Sequence, residues 1–558
     1  MDIKFLGAVK GITGSCHLIQ FKNKKILLDC GLFQGKDEKL NFEEFEISPS
    51  EIDYVFLSHS HIDHSGRIPL LVQKGFNGSI YCSKPTYDLC GIMLIDSAYI
   101  QETEAEWKNR KAVRSGKKLE KPLYTQLDAE HSLKYFKPVE YEQIVVVNED
   151  LTIKFSDAGH ILGSSIIEMW FNDDKGMIKV VYSGDLGMKE KPLLNDPSKI
   201  DSADYVIIES TYGNRIHDDI EQRTKELINI ILKTIQRGGN VIIPSFAVGR
   251  TQELIYELNK YYDCHLDEFC INGNPLKDIP VYIDSPLATK ATEIFKRNAH
   301  VFDDEARELI LNGNNPLEFE NLHFTQSVEE SMKLNLSLVP KIIISASGMC
   351  EAGRIKHHLK HNLWRKESSI VFVGYQAEGT LGRKIVSGEK SVKILGENIR
   401  VNAEVYNVEG FSGHADKEAL INWLGNFNEK PDTVFIVHGE QEAKNDFANE
   451  VQEKLNLNCI VPEYNTIYKI ISPNELEELS ATDESLENLS VTRQNGANVK
   501  IEELERNLDD IKIIFDNAFN RTKNHVKRDV NSKEIDKIHN IIIELEKEII
   551  NLTMATSE

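Results

Sequence analysis

The segment His59-Ser60-His61-Ile62-Asp63-His64 holds three imidazoles and one carboxylate within six residues. It follows an apolar run that ends at Leu57, which predicts a loop at the end of a buried strand. Alternate side chains of extended backbone point the same way, so His59 and His61 can bind one ion, while Asp63 and His64 can face another. Such ligands suit Zn²⁺. A purely structural polar loop would lose roughly 1–3 kcal/mol for each group left unpaired, so the spacing favours a metal site.

Two further segments offer single ligands after predicted strands. His160 lies in a glycine-containing turn after the apolar run 151–155, and Asp185 follows the run Ile178–Tyr182. A carboxylate shared between two metal ions lets them lie about 3.5–4 Å apart and hold a hydroxide between them. Each residue alone would more often be an ordinary turn residue. Together with the first segment they predict a dinuclear site.

The composition limits the classes of protein that need considering. The chain has 558 residues and a formal net charge of −23, so two or three domains are expected and any nucleic-acid partner needs a local basic channel or bound metal ions. No apolar run approaches the roughly 18 residues of a membrane span, and the N-terminus does not resemble a signal peptide. We therefore expect a cytoplasmic protein. The eight scattered cysteines form no Cys-x-x-Cys pair, which disfavours disulfide frameworks and thiolate metal sites.

The pattern of apolar runs divides the chain. Short strands dominate residues 1–212, whereas residues 213–405 alternate continuous apolar strands with helices, as in a parallel sheet covered on both faces. A return segment, 406–471, carries the strand that leads into His438. Residues 472–558 show helical spacing of Ile and Leu, which predicts a helical extension that packs on the body or on a second subunit.

A basic cluster follows a helical stretch from about Thr86 to Gln101. It is either a solvated loop or a lip that contacts RNA, and the pattern leaves both open. Its residues are Lys108, Arg110, Lys111, Arg114, Lys117, Lys118 and Lys121.

These motifs resemble those of the metallo-β-lactamase fold. The resemblance rests on Asp29 at a strand end, the His-x-His-x-Asp-His loop, His160 and Asp185, in that order. The long insertion before the last ligand resembles the β-CASP family, which acts on nucleic acids. Three motifs carry that likeness and contain Glu209, His414 and His438. The resemblance implies an α/β protein, an αββα sandwich with an inserted β-CASP α/β domain.

The resemblance also implies roles for these residues. One zinc would be bound by His59, His61 and His160, the other by Asp63, His64 and His438, and Asp185 would bridge them, with Mn²⁺ as an alternative metal. Asp29 would orient the ligand loop. A hydroxide held by the metal pair would attack phosphorus, and the residues closest to the reaction would be Asp63, Asp185, His414 and Glu209. The substrate-binding residues would be Ser347, Gly348, Thr380, Arg383 and His414.

Two other features remain open. Arg250 is either structural or phosphate-binding. His357, His358 and His361 could suggest another metal cluster, but we expect them to lie on the surface or to line a groove.

The substrate implied by the resemblance is single-stranded RNA. Family members with His at the position of His438 process RNA, whereas DNA-repair members carry Val there. The residues around these motifs are similar to those of the group that contains the polyadenylation-machinery endonuclease and its prokaryotic relatives. This likeness implies endonucleolytic cutting, with 5′-3′ exonuclease activity as a second mode, in RNA processing or decay. The alternatives are a small-molecule hydrolase of thioesterase or lactamase type, a DNA-directed nuclease, and an inactive RNA-binding scaffold. A homodimer through the C-terminal extension is also expected.

Overall fold

The computed structural model describes residues 1–479 except 117, 174–175, 218–219, 265–269, 272–273, 276–278, 375, 409–412 and 473–474. One compact unit covers Met1–Ala481. The rest of the predicted helical extension, and with it a dimer through that extension, lies outside the described residues. Among the helices that are described, none is long and apolar enough to cross a membrane.

The first sheet has eight strands in the order β25-β24-β1-β2-β3-β4-β5-β6. Its strands are β1 (Asp2–Phe5), β2 (His17–Phe21), β3 (Lys24–Leu28), β4 (Tyr54–Phe56), β5 (Ser79–Ser83), β6 (Phe136–Val139), β24 (Ile467–Ser472) and β25 (Glu475–Leu479). The start of the predicted helical extension is therefore wrong, because residues 475–479 form a strand antiparallel to β24. A sheet edge offers unpaired backbone groups, and pairing with β25 satisfies those of β24.

The second sheet has seven strands in the order β23-β22-β11-β10-β9-β8-β7. Its strands are β7 (Val145–Asn148), β8 (Leu151–Asp157), β9 (Ser165–Asp173), β10 (Gly176–Tyr182), β11 (Tyr205–Glu209), β22 (Thr433–Val437) and β23 (Cys459–Ile460). Strands β11 and β22 run parallel, with Glu209 opposite Val437. The register thus places Glu209 beside His438, although the two are far apart in sequence.

The two sheets face each other across one apolar core. Phe5, Phe56, Phe155 and Phe435 are fully buried there. Helices cover the outer face of each sheet, as the apolar clusters on both outer faces show. These helices are α1 (Ile62–Ser65), α2 (Ile68–Gln73), α3 (Lys84–Ser115), α4 (Gln126–Ser132), α12 (Lys417–Gly425) and α13 (Gln441–Leu455). The αββα sandwich expected from the sequence is confirmed.

Helix α3 is longer than the predicted stretch. Ser83 caps its N-terminus by accepting from the Thr86 backbone, and Gly116, in the left-handed conformation, ends it. The first four basic residues of the cluster are therefore helical rather than part of a loop. Lys108 pairs with a glutamate at 3.5 Å, which gives it a structural partner. Whether this helix contacts RNA stays a prediction.

The third sheet belongs to the inserted domain and has the order β16-β15-β17-β12-β18-β21. Its strands are β12 (Val241–Pro244), β15 (Val281–Ile283), β16 (Leu322–Phe324), β17 (Ile342–Ser345), β18 (Ser369–Phe372) and β21 (Glu404–Asn407). All their pairings are parallel, as the apolar strands predicted. Two small hairpins complete the strands, β13 (Cys270–Ile271) with β14 (Asn274–Pro275), and β19 (Ser391–Ile394) with β20 (Glu397–Arg400).

Helices pack on both faces of this sheet. They are α5 (Ile220–Gln236), α6 (Arg250–Cys264), α7 (Pro286–Arg297), α8 (Asp304–Leu311), α9 (Val328–Leu336), α10 (Ile355–Asn362) and α11 (Leu381–Val386). The core on one face also contains Ile161, Leu193 and Leu194 of the sandwich. The inserted domain is therefore joined to the sandwich by a continuous apolar core.

Candidate metal centre and catalytic pair

The histidine loop follows β4 and turns directly into the single turn of α1. Asp29, fully buried at the end of β3, fixes this loop. Its Oδ1 accepts from the Ser58 backbone at 2.7 Å, and its Oδ2 accepts from the Tyr182 hydroxyl at 2.7 Å. The same Oδ2 lies 2.7 Å from Nδ1 of His64. Because Nδ1 is engaged by Asp29, the ring nitrogen of His64 that faces the other predicted metal ligands is Nε2.

Four of the predicted ligands form one group. His61 Nδ1 lies 3.1 Å from His59 Nε2 and 3.2 Å from His160 Nε2. Asp185 Oδ2 lies 3.5 Å from His59 Nε2 and 3.7 Å from His160 Nε2. One donor atom from each of these residues lies within 4.8 Å of all the others, as a single ion would require.

The remaining three predicted ligands form a second group beside the first. Nε2 of His438 lies 3.1 Å from Nε2 of His64 and 3.7 Å from Oδ2 of Asp63. Asp185 Oδ2 is 3.3 Å from His64 Nε2, so this one carboxylate reaches both groups. The structure therefore brings together all seven predicted metal ligands and places Asp185 between the two sets.

The donor set fits zinc. Tetrahedral zinc with bonds of about 2.0–2.1 Å places neighbouring ligand atoms about 3.3 Å apart, close to the spacings of both groups. Among the described residues, the buried atoms Asp185 Oδ1 and His160 Nδ1 have no hydrogen-bond partner. Burial lowers the pKa of His59 and His160 well below the ordinary value and that of His61 to about 4, so these imidazoles are neutral, the form that binds metal.

His414 and Glu209 form a hydrogen-bonded pair beside Asp185. Nδ1 of His414 lies 3.1 Å from both carboxylate oxygens of Glu209 and 3.7 Å from Asp185 Oδ2. Glu209 is held in turn by the Leu186 backbone, which donates to it at 2.7 Å. Burial lowers the pKa of His414, but Glu209 and Asp185 outweigh burial and raise it to about 9. Without metal, the imidazole is therefore charged at neutral pH.

Four of the five predicted substrate-binding residues, all except His414, lie in two adjoining loops of the inserted domain or, for Arg383, in the first turn of the helix that follows the second loop. Gln376 of the second loop donates to the Gly348 carbonyl at 3.1 Å, which ties this loop to the first, where Ser347 lies. The hydroxyl of Thr380 accepts from the Arg383 backbone at 3.2 Å, so Thr380 caps α11. The Arg383 side chain is exposed. Binding of substrate by these residues stays a prediction.

The expectation for the three histidines of α10 is wrong for His358. This residue is fully buried, and its Nε2 lies 2.6 Å from Oδ2 of Asp284. The reason is that α10 places His358 opposite Asp284, at the end of β15, where the carboxylate needs hydrogen-bond donors. Arg250 is also buried, and its guanidinium lies 2.5 Å from Glu253, which favours the structural alternative.

Several residues of the site were missed by sequence reasoning. Tyr182 and Ser58 hold Asp29, and the hydroxyl of Thr211 lies 3.1 Å from Nδ1 of His438. The available signal was weak but present: each residue is polar and stands at the end of an apolar strand, one to three positions from a predicted site residue.

Comparison with known proteins places the chain in a family. The model of the metallo-beta-lactamase superfamily domain matches residues 18–210, the Beta-Casp domain matches 251–385, and the Zn-dependent metallo-hydrolase RNA specificity domain matches 398–462. The chain is 37% identical to Ribonuclease TTHA0252 of Thermus thermophilus over 442 residues, which cover 79% of this chain and 94% of that protein.

Two archaeal relatives are both named transcription termination factor FttA. That of Methanocaldococcus jannaschii is 33% identical over 82% of this chain and 70% of its own length. The factor of Methanosarcina mazei is 34% identical over 81% of this chain and 69% of its own length. Identity at this level, over most of each protein, confirms the resemblance seen in the motifs. The chain is a β-CASP member of the metallo-β-lactamase superfamily, whose domains are those of a zinc-dependent RNA-specific metallo-hydrolase.

Proposed function

We propose that this protein is a two-zinc ribonuclease that cuts single-stranded RNA internally, with 5′-3′ exonuclease activity as a second mode. The observation that carries the proposal is the convergence of two ligand groups on Asp185, with the His414–Glu209 pair 3.7 Å from the shared carboxylate. A relative named as a ribonuclease and the match to an RNA specificity domain support the choice of substrate.

In this proposal His59, His61 and His160 bind one zinc, Asp63, His64 and His438 bind the other, and Asp185 is shared. When bound, the two zinc ions would supply activation of water and neutralisation of the charge that develops on the phosphoryl group. Manganese remains an alternative metal, although the histidine-rich set favours zinc.

The protein's own residues handle the leaving group. Nδ1 of His414 faces Glu209, and we assign Nε2 as the nitrogen that meets the leaving oxygen of the RNA. Glu209 fixes the orientation of that ring and stabilises its charged form, while Thr211 donates to Glu209 at 2.6 Å and keeps the carboxylate in place. His414 then protonates the leaving oxygen as a general acid.

The inserted domain supplies the wall along which RNA lies. We assign Ser347, Gly348, Thr380 and Arg383 to that wall because their two loops adjoin at the carboxyl ends of parallel strands, where α/β sheets usually bind ligands. We place the reaction in the cytoplasm. Six of the eight cysteines are free thiols, as expected in a reducing compartment; they are Cys16, Cys30, Cys82, Cys90, Cys350 and Cys459.

The test uses one RNA sequence with a 5′-triphosphate, a 5′-monophosphate or a 5′-hydroxyl, and the matching single-stranded DNA. We expect equal internal cutting of the three RNAs and no cutting of DNA. His414→Gln should reduce cleavage about 10²–10⁴-fold while zinc content stays unchanged. The exposed His300, replaced in His300→Gln, is the matched control.

Other results would decide between the alternatives. Strict dependence on a 5′-monophosphate would establish the exonuclease mode instead. Cleavage of the DNA at the rate of the RNA would make the protein a nuclease without RNA specificity. Hydrolysis of a thioester or lactam without any RNA cleavage would overturn the proposal.

A further inference from the structure

A buried charged triad joins the inserted domain to the metal loop. Lys191 belongs to the sandwich and lies between β10 and β11, whereas Arg250 and Glu253 lie in the first turn of α6 in the inserted domain. The Lys191 ammonium is 2.5 Å from Glu253 Oε1, and the Arg250 guanidinium is 2.5 Å from Glu253 Oε2. All three side chains are less than a tenth exposed. We call these three residues the interdomain triad.

The triad reaches the metal centre through one hydrogen bond. The Lys191 ammonium donates to the backbone carbonyl of His160 at 2.5 Å. The side chain of the next residue, Ile161, lies close to Gly249, the residue before α6, since a Cβ atom added to Gly249 would lie 2.9 Å from it. The His160 carbonyl is therefore held by Lys191, whose ammonium is held in turn by Glu253 of the inserted domain.

His160 differs from the neighbouring ligands in how it is oriented. His59, His64 and His438 each have a ring nitrogen within hydrogen-bond distance of a side chain, from Ser58, Asp29 and Thr211, respectively. Such partners normally fix the ring of a metal-binding histidine. Nδ1 of His160 has no partner among the described residues, so its orientation depends on its backbone and on packing.

Stability alone is a weak reason for this arrangement. The domains already share an apolar core in which Ile161, Leu193 and Leu194 pack against residues of the insertion. A buried ion pair loses most of its attraction to desolvation, and apolar side chains of similar size usually stabilise a protein equally well. What apolar side chains cannot supply is a donor directed at the His160 carbonyl.

We propose that Lys191, Glu253 and Arg250 are positioning residues through which the inserted domain holds His160 at the metal centre. Affinity for the ion bound by His59, His61 and His160 then depends on how the inserted domain is docked. The inference rests on the metal ligands proposed above, and its test is a metal-binding measurement that needs no RNA.

The test is Lys191→Met, which keeps the length of the side chain and removes its charge. Zinc per chain is measured during titration with a chelator, and the visible spectrum of the cobalt(II)-substituted protein reports the geometry of each site. We expect a tenfold or greater loss of affinity for one of the two ions, no change for the other, and an altered cobalt spectrum. Lys179→Met is the control, because Lys179 is paired with the buried Glu168 at 2.6 Å, away from the metal loop.

Wild-type affinity for both ions in Lys191→Met would overturn the inference and leave the proposed function intact. A wild-type protein that binds fewer than two ions would contradict the ligand assignment itself. If Lys191→Met does not fold, Glu253→Gln is used instead, since it retains the ammonium and removes the ion pair. A smaller loss at the same ion is expected there, and an unchanged affinity and spectrum would again overturn the inference.

Discussion

The part of the chain that the structure describes contains two buried clusters of histidine and carboxylate, and they differ in whether their polar atoms have hydrogen-bond partners. In the inserted domain, Asp284 is surrounded by donors from three segments. Oδ1 accepts from Arg354 at 2.6 Å, and Oδ2 lies 2.6 Å from Nε2 of His358. The hydroxyls of Thr325 and Ser331 donate to one oxygen each. Every acceptor of this carboxylate is occupied by protein.

The cluster around Asp185 has the opposite character. Its Oδ1 has no hydrogen-bond partner in the described part of the chain, and its Oδ2 faces imidazole nitrogens at 3.3–3.7 Å, longer than the usual N–H···O hydrogen bond. Pairs of imidazole nitrogens also face one another. Buried histidine and aspartate alone therefore do not identify a reactive site. A reactive site is identified by ligand atoms without hydrogen-bond partners that converge on a common point.

The largest effect on cleavage is expected from Asp185→Asn. This change removes the charge shared by both ligand groups and should reduce kcat/KM for RNA about 10³-fold or more, or about 4 kcal/mol. Cleavage rates and zinc content are measured together. Asp150→Asn, at an exposed aspartate paired with Lys22, is the control. Cleavage within tenfold of wild type would show that Asp185 is not a shared ligand.

An intermediate effect is expected from Asp29→Asn. The substitution keeps the shape of the side chain and removes the charge that holds Nδ1 of His64. Because partners of this kind typically contribute 10–100-fold to metal affinity, we expect that loss in a chelator titration. An unchanged affinity would mean that Ser58 and the backbone orient His64 sufficiently.

The smallest effect on cleavage is expected from Asp284→Asn. Breaking this buried network should lower the free energy of unfolding by about 3 kcal/mol, while cleavage per folded molecule stays the same. Burial alone would raise the pKa of Asp284, but hydrogen bonds from His358, Ser331 and Thr325 outweigh it and lower the pKa. This stabilisation is therefore present above the ordinary pKa of a carboxyl group and is lost as pH falls through the lowered value.

Acid unfolding monitored by circular dichroism checks the sign of that effect. Asp284→Asn should differ from wild type most at neutral pH and least at low pH. A loss of RNA cleavage as large as that of Asp185→Asn, in folded protein, would contradict the distinction between the two clusters.

The parts of the fold that could be predicted have local signals. Apolar runs located several strands of the sandwich and of the parallel sheet of the insertion, because burial on one or both faces leaves a pattern in the sequence. The metal-site residues were found because His and Asp follow those runs directly, and strands that lie side by side in a sheet end close together. Asp185 and His438 are examples, since they follow two strands, β10 and β22, that both pair with β11.

The parts that could not be predicted depend on contacts between distant segments. His358 looked like a surface residue because nothing near it in sequence shows that Asp284 lies opposite. Lys191 and Glu253 have no motif that indicates a pair, since each would ordinarily be solvent-exposed. Strand β25 was missed for the same reason. It pairs with β24 at the edge of the sheet, and this pairing depends on the register between the two strands rather than on an apolar pattern in β25.

The position of β1 between β2 and β24 has a consequence for synthesis of the protein. Strand β1 cannot pair with β24 until β24 has been synthesised. His438 likewise emerges roughly 250 residues after Asp185. At about 5–20 residues per second, that interval is roughly 10–50 s on the ribosome. A nascent chain therefore carries most of its metal-binding residues long before it can complete the centre. We therefore expect no RNA cleavage by a nascent chain from which His438 is still missing.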